Sequence, residues 1–202
     1  MNIIKQFFYK SFPGVYKLLS GNAIYSYKFK NLPIDSYLHP VHKISNSQWV
    51  LIGEGVTIEK DVWINIIKEK DKHGNLKIGK GVKIGQRCTL SCANSIDIDD
   101  NALIGLNVYI ADHEHSYQNV RKSIMHQGIV GSKEIYIKKN AWIGNNVIIL
   151  GQKKIIIGKN SVIGANSVVK SSIPDFCVAV GNPAKVIKRY NFSKKKWLKV
   201  KK

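Results

Sequence analysis

An apolar residue, most often isoleucine, returns at every sixth position through the middle of the chain. The register reads Ile52, Ile58, Ile64; Ile78, Ile84, Leu90; Ile98, Ile104, Ile110; Ile137, Ile143, Ile149; and Ile157, Ile163, Val169. Two residues before each stands a second apolar or small side chain, as Val50, Val56 and Val62 do before the first three. Positions two apart in an extended segment point to the same side. Each hexad therefore turns two side chains inward on a short strand and spends the rest changing direction. β-Branched residues suit such a pleated, half-buried surface.

The interruptions are equally regular. Steps are six within each triplet, and the breaks between triplets insert 8, 2, 21 and 2 extra residues, always after the third hexad. A coil with three flat faces accounts for this, because all extra residues then leave at one corner while the other two stay tight. Stacked coils pair parallel strands and align columns such as Ile58, Ile84, Ile104, Ile143 and Ile163. The residue after the inward isoleucine is often glycine (Gly53, Gly79, Gly85, Gly105, Gly144, Gly158, Gly164), expected at the turn for its backbone freedom. The predicted fold class is all-β, a parallel β-helix of about five triangular coils over residues 46–180, with a loop projecting at 111–134.

Composition changes this picture at the ends. The 202 residues are 44% hydrophobic and 22% charged, as in an ordinary globular protein. No apolar run reaches the length of a spanning helix, and no signal peptide is read at the N-terminus. Of the +19 net charge, 14 falls on two acid-free stretches, five bases in 1–34 and nine in 176–202. Residues 1–45 are read as a short helical cap over the first coil, and residues 181–202 as a basic tail, a short helix or a flexible arm. Such ends attract phosphate-bearing partners, and contact with an anionic membrane is the partner expected for the tail. No nucleic-acid module is present, so nucleic acid is not expected. Three cysteines cannot all pair, which fits a reducing, cytoplasmic setting.

The chain resembles the hexapeptide-repeat acyltransferases over roughly residues 50–190. The most specific piece is the run AWIGNNVIILGQKKIIIGKNSVIGANSVVKSSIPDFCVAVGNPAKVIK at 141–188, which is similar to the last coils of sugar O-acetyltransferases of the galactoside, maltose and capsule- or O-antigen-modifying kind. The resemblance implies a left-handed β-helix, a homotrimer with sites between neighbouring helices, and acetyl-CoA as co-substrate. The segment LGQKKIII departs from the family by two extra residues.

The 21-residue insertion opens ADHEHSY. A histidine suits proton abstraction near neutral pH, and the resemblance places the catalytic base at His113, with His115 beside it. Asp112 and Glu114 flank them as candidates to orient the ring or to meet substrate, although neighbours in an extended segment point apart. The cluster lacks the ligand spacing of a metal site, so no metal is expected. Trp142 is read as outward-facing, a wall for a sugar ring or the pantetheine arm, or else an interface residue. Trp63 is outward by the same rule, with no candidate base near it. The resemblance carries cofactor contacts to Asn145, Ala165, Lys170, Lys185 and Lys188. The resulting expectation is a cytoplasmic O-acetyltransferase acting on a sugar or glycan acceptor, the tail lying at the inner face of the membrane. The alternatives are N-acetylation of an amino-sugar nucleotide and a non-catalytic, polyanion-binding β-helix.

Overall fold

The computed structural model describes residues 29, 31–39, 41, 43–69, 71–131, 133–150 and 154–200. The helical cap expected at the N-terminus lies almost wholly outside these residues. Three parallel sheets dominate the rest. The first face has five strands, from Val50–Ile52 to Ile155–Ile157. The second face stacks Tyr37–Leu38, Thr57–Ile58, Lys83–Ile84, Leu103–Ile104, Trp142–Ile143, Val162–Ile163 and Cys177–Val180. The third runs from Lys43–Ser45 through Trp63–Ile66, Thr89–Cys92, Tyr109–Ala111 and Ile148–Leu150 to Val168–Val169. Among the described residues the helical elements are two short 3-10 turns, and no helix is long and apolar enough to cross a membrane.

Register follows the hexad period. Ile58 pairs with Ile84, Ile84 with Ile104, Ile104 with Ile143 and Ile143 with Ile163, all buried. The stack extends beyond the repeat at both ends. Leu38 pairs with Ile58 and Ile44 with Ile64, so strands begin before residue 46. Leu32, Leu38 and Ile44 in fact continue the six-residue step, without the glycines that make it conspicuous. At the other end Ile173 bridges Ile157, and Ala179 pairs with Ile163.

The corners correct one expectation. Left-handed backbone occurs not at the residue after the inward isoleucine but at the third one along: Asn101, Asn107, Asn140, Asn146, Asn160 and Asn166 all have positive φ. Asparagine tolerates that region better than other side-chain-bearing residues. The glycines serve another purpose, close approach of coils. A Cβ on Gly53 would stand 2.8 Å from the Gly79 carbonyl carbon, and one on Gly85 2.5 Å from the Gly105 oxygen.

The C-terminal tail is neither a helix nor a loose arm. Lys185–Asn191 adds antiparallel to Cys177–Val180, and Lys196–Lys199 adds antiparallel to it in turn. Val186, Tyr190 and Leu198 are partly buried in this extension of the second sheet. Lys188 lies directly opposite Lys199, and Tyr190 opposite Trp197.

Candidate active site

The 21-residue insertion leaves the third face at Ala111 and returns to the first face at Glu134. Asp112 stands two residues after inward Ile110 and keeps to the inward side, where it is wholly buried. A buried carboxylate is costly unless hydrogen-bonded. The corner of the coil below supplies the bonds: the Ala93 N–H donates to Oδ1 at 2.8 Å, and the Asn94 and Ser95 N–H groups donate to Oδ2 at 2.8 and 2.9 Å. The Cys92 thiol lies 3.6 Å from Oδ2. Burial, and then the Asp112 charge, push this thiol far above its ordinary range.

The strand ends at Ala111 and the chain bends at Asp112. The bend brings two consecutive side chains together, and Nδ1 of His113 sits 2.9 Å from Asp112 Oδ1. Because the carboxylate accepts the Nδ1 proton, the Nε2 lone pair is turned toward the outer surface of the third face. There it lies 3.5 Å from Ser91 Oγ, which accepts a hydrogen bond from Asn65 Nδ2 at 3.0 Å. The His113 side chain is 9% exposed, so the ring is held on most sides and open at one. Carboxylate, imidazole and an outward lone pair form an arrangement that can act chemically as a general base of fixed tautomer.

The other predicted residues are distributed unevenly. Asp112, a candidate either to hold the ring or to meet substrate, is buried behind the ring and bonds its Nδ1. Glu114 and His115 form a short strand antiparallel to Ile129–Val130 at the base of the loop, with His115 exposed. Trp142 stands half-exposed on the second face, in a groove with Thr57, Lys83, Leu103 and Asn145. Asn145 also accepts the Leu106 N–H through Oδ1, and its own carbonyl accepts from Asn166, beside Ala165 on the next coil. Lys170 follows Val169 at the edge of the third face, while Lys185 and Lys188 lie on the strand that extends the second. His113 projects from the corner between the third and first faces, opposite the second face, so one chain does not bring Trp142 to His113.

Asn65 and Ser91 were not anticipated. The signal for them is their place in the repeat: each directly follows the inward residue of the third hexad (Ile64, Leu90), the position Ala111 takes one coil later. Their relation to His113 exists only across stacked coils. Among the described residues no group of His, Cys, Asp or Glu could hold a metal ion.

The chain matches the family described as the hexapeptide repeat of succinyl-transferase over residues 75–111 and 154–186. It is 32% identical over 175 residues to the galactoside O-acetyltransferase of Escherichia coli K12, covering 87% of this chain and 80% of that one. A Mycobacterium tuberculosis protein assigned as an acetyltransferase is 33% identical over 146 residues, 72% of this chain but only 44% of its own length. The chain thus spans less than half of that relative. In fold it superposes on AntD, an N-acyltransferase of Bacillus cereus crystallised with dTDP and 3-hydroxybutyryl-CoA, with TM-score 0.70, 20% identity and coverage of 86% and 90%.

Proposed function

Because the chain belongs to the hexapeptide-repeat acyltransferase family, we propose that it is an acetyl-CoA-dependent O-acetyltransferase acting on a sugar hydroxyl of a surface polysaccharide or its precursor. The observation that carries this reading is the bond from His113 Nδ1 to the buried Asp112 carboxylate, which leaves Nε2 free to accept a proton. His113 Nε2 takes the proton of the acceptor hydroxyl as its oxygen attacks the thioester carbonyl. The new C–O bond forms, the C–S bond breaks, and the proton passes to the departing thiolate of CoA. A general base of this kind contributes ~10²–10⁴ in rate. No serine or cysteine is assigned a covalent role, since Cys88 and Cys92 are buried and held protonated.

The separation of His113 from Trp142, Asn145 and Ala165 supports a homotrimer of left-handed helices. In it, the second face of one copy meets the His113 corner of the next, with acetyl-CoA between them and Lys170, Lys185 and Lys188 toward its phosphates. We place the enzyme in the cytoplasm, with the basic C-terminal strands at the inner membrane face. The test is thiol release from acetyl-CoA with a surface-glycan extract, wild type beside His113→Ala. Extract-dependent release that vanishes in the variant, with acetyl-CoA binding retained, supports the reading; equal release by both overturns the base.

A further inference from the structure

We infer that the C-terminal hairpin is a membrane-interface anchor: Phe192 and Trp197 enter an anionic bilayer below its headgroups, while Lys194, Lys195 and Lys199 stay at its charged surface. This rests on the membrane placement above and deepens it by naming the side chains that enter the lipid. Lys188 and Tyr190 stand two apart on Lys185–Asn191, directly opposite Lys199 and Trp197 on Lys196–Lys199. Residues two apart in a strand, and residues opposite one another across a pair, share a face. Lys188 in turn lies opposite Val178, which points outward between buried Cys177 and Ala179. Rings and lysines are therefore together on the outer face of the sheet.

The rings form a chain. Phe176 meets Phe192 at 4.9 Å between ring centres, Phe192 meets Tyr190 at 5.1 Å, and Tyr190 meets Trp197 at 5.4 Å, all edge to face. Phe176 and Tyr190 are partly buried, whereas Phe192 is 63% and Trp197 40% exposed. The tip that carries Phe192 is already ordered. Asn191 Oδ1 accepts the Lys194 N–H at 2.7 Å, and Lys195 holds a left-handed φ of 48°. An ordered tip loses little freedom on docking. Asp175, the nearest acid along the chain, stands 3.9 Å from Lys159, whose Nζ lies 5.3 Å from the Phe176 ring centre.

An anionic lipid surface matches this set. Aromatic side chains flanked by lysines suit the boundary between headgroups and acyl chains, with the rings below and the cations at phosphate depth. Lysine stems are apolar, so the charges stay at the surface beside buried rings. Lysines crowded on one face are unfavourable in isolation and favourable against a negative layer. The rings also lie apart from the residues proposed above to meet acetyl-CoA. Asn145 and Ala165 follow strands of the second face, at the corner where the chain leaves it. Phe176 precedes Cys177, at the corner where the chain arrives. The two groups thus occupy opposite edges of one sheet.

The test uses the intact protein with vesicles of phosphatidylglycerol and brominated phosphatidylcholine in equal parts, in which bromine on the acyl chains quenches any tryptophan that reaches them. Wild-type emission is expected to fall on binding. The fall is expected to vanish in Trp197→Phe, which keeps an aromatic ring and leaves Trp49, Trp63 and Trp142 in place. Phe192→Ser is expected to bind about tenfold more weakly at roughly 0.5 M salt, where charges are screened and the apolar contribution remains. Wild type that binds with unchanged emission overturns the anchor and leaves an electrostatic contact standing, as does an equal fall in Trp197→Phe. Wild type that does not bind overturns the membrane placement itself. A change of oligomeric state in Phe192→Ser, with vesicle binding unaltered, makes the patch an interface between copies and also overturns the anchor. Thiol release without vesicles is expected to stay within about twofold of wild type in both variants, which keeps this test separate from the transferase reading.

Discussion

Asp112 and His113 are consecutive in the chain, yet Oδ1 of one lies 2.9 Å from Nδ1 of the other. The contact exists because the chain leaves its strand at this point. Asp112 stays with the inward row while His113 turns over the sheet edge, and three backbone N–H groups of the preceding coil hold the carboxylate still. A carboxylate that is itself buried and bonded by three N–H groups is fixed in place, and it fixes the ring of His113 with it.

Asp112→Asn keeps the shape but presents an amide to Nδ1 and to the corner N–H groups. Turnover should fall at least ~10²-fold, because the wrong tautomer of His113 is then favoured. Loss of charged acceptance by the Ala93, Asn94 and Ser95 N–H groups should also lower the thermal midpoint. Steady-state rates and a melting curve check both. A variant that is as active and as stable as wild type would refute the orienting role.

Corner chemistry predicts an inversion of ordinary glycine logic. Gly85→Ala should cost about 1–3 kcal/mol through overpacking against the Gly105 oxygen. Asn101, with φ of 56°, should accept glycine within about 0.5 kcal/mol, but Asn101→Val should lose ~1–2 kcal/mol by forcing a β-branched residue into the left-handed region. Denaturant midpoints of the three variants give the order.

Burial raises the Cys88 thiol from an ordinary 9.0 to about 11, and Cys92 is raised further by burial and by Asp112. The folded state therefore keeps protons that the unfolded chain gives up. Their contribution to stability is complete below about pH 9 and is lost as pH climbs through 11, at up to ~1.4 kcal/mol per pH unit for each thiol. Denaturation midpoints at pH 8, 9.5 and 11 should fall more steeply for wild type than for Cys88→Ala/Cys92→Ala. Parallel curves would dismiss the thiols as the source.

The C-terminal hairpin sets Lys188 against Lys199 and leaves Phe192 and Trp197 exposed. Like charges opposite one another are unfavourable, and residues 176–202 hold no acid to relieve them. Anionic phosphatidylglycerol vesicles should bind the protein, with affinity falling as salt rises and falling further in Lys196→Glu/Lys199→Glu. Sedimentation with vesicles at two salt concentrations measures it; neutral vesicles binding equally well would exclude the electrostatic account.

Most of the stack was legible because its signal is local. Inward residues at every sixth position, and extra residues only after the third hexad, follow from alternation along a strand and from the need to turn a corner. What escaped notice lacked one part of that signal. Leu32, Leu38 and Ile44 keep the period without its glycines, and Val186, Tyr190 and Leu198 are spread among so many lysines that the tail reads as a solvated arm. Trp63 was legible as outward-facing, but its pairing beside Thr89 was not.

Which side chains face inward, which corner releases the long loop, and the histidine at its start were all readable along the chain. This is so because each of these depends on neighbours within a few residues. Only the stacked coils show that Asp112 is buried against His113 Nδ1, that Ser91, bonded in turn by Asn65, lies beside Nε2, and that Trp142 stands on a different face. The contacts that hold this arrangement together join residues 17 to 26 positions apart. They exist only once parallel coils stack at hydrogen-bonding distance and a bend at Asp112 breaks the alternation that the sequence pattern assumes.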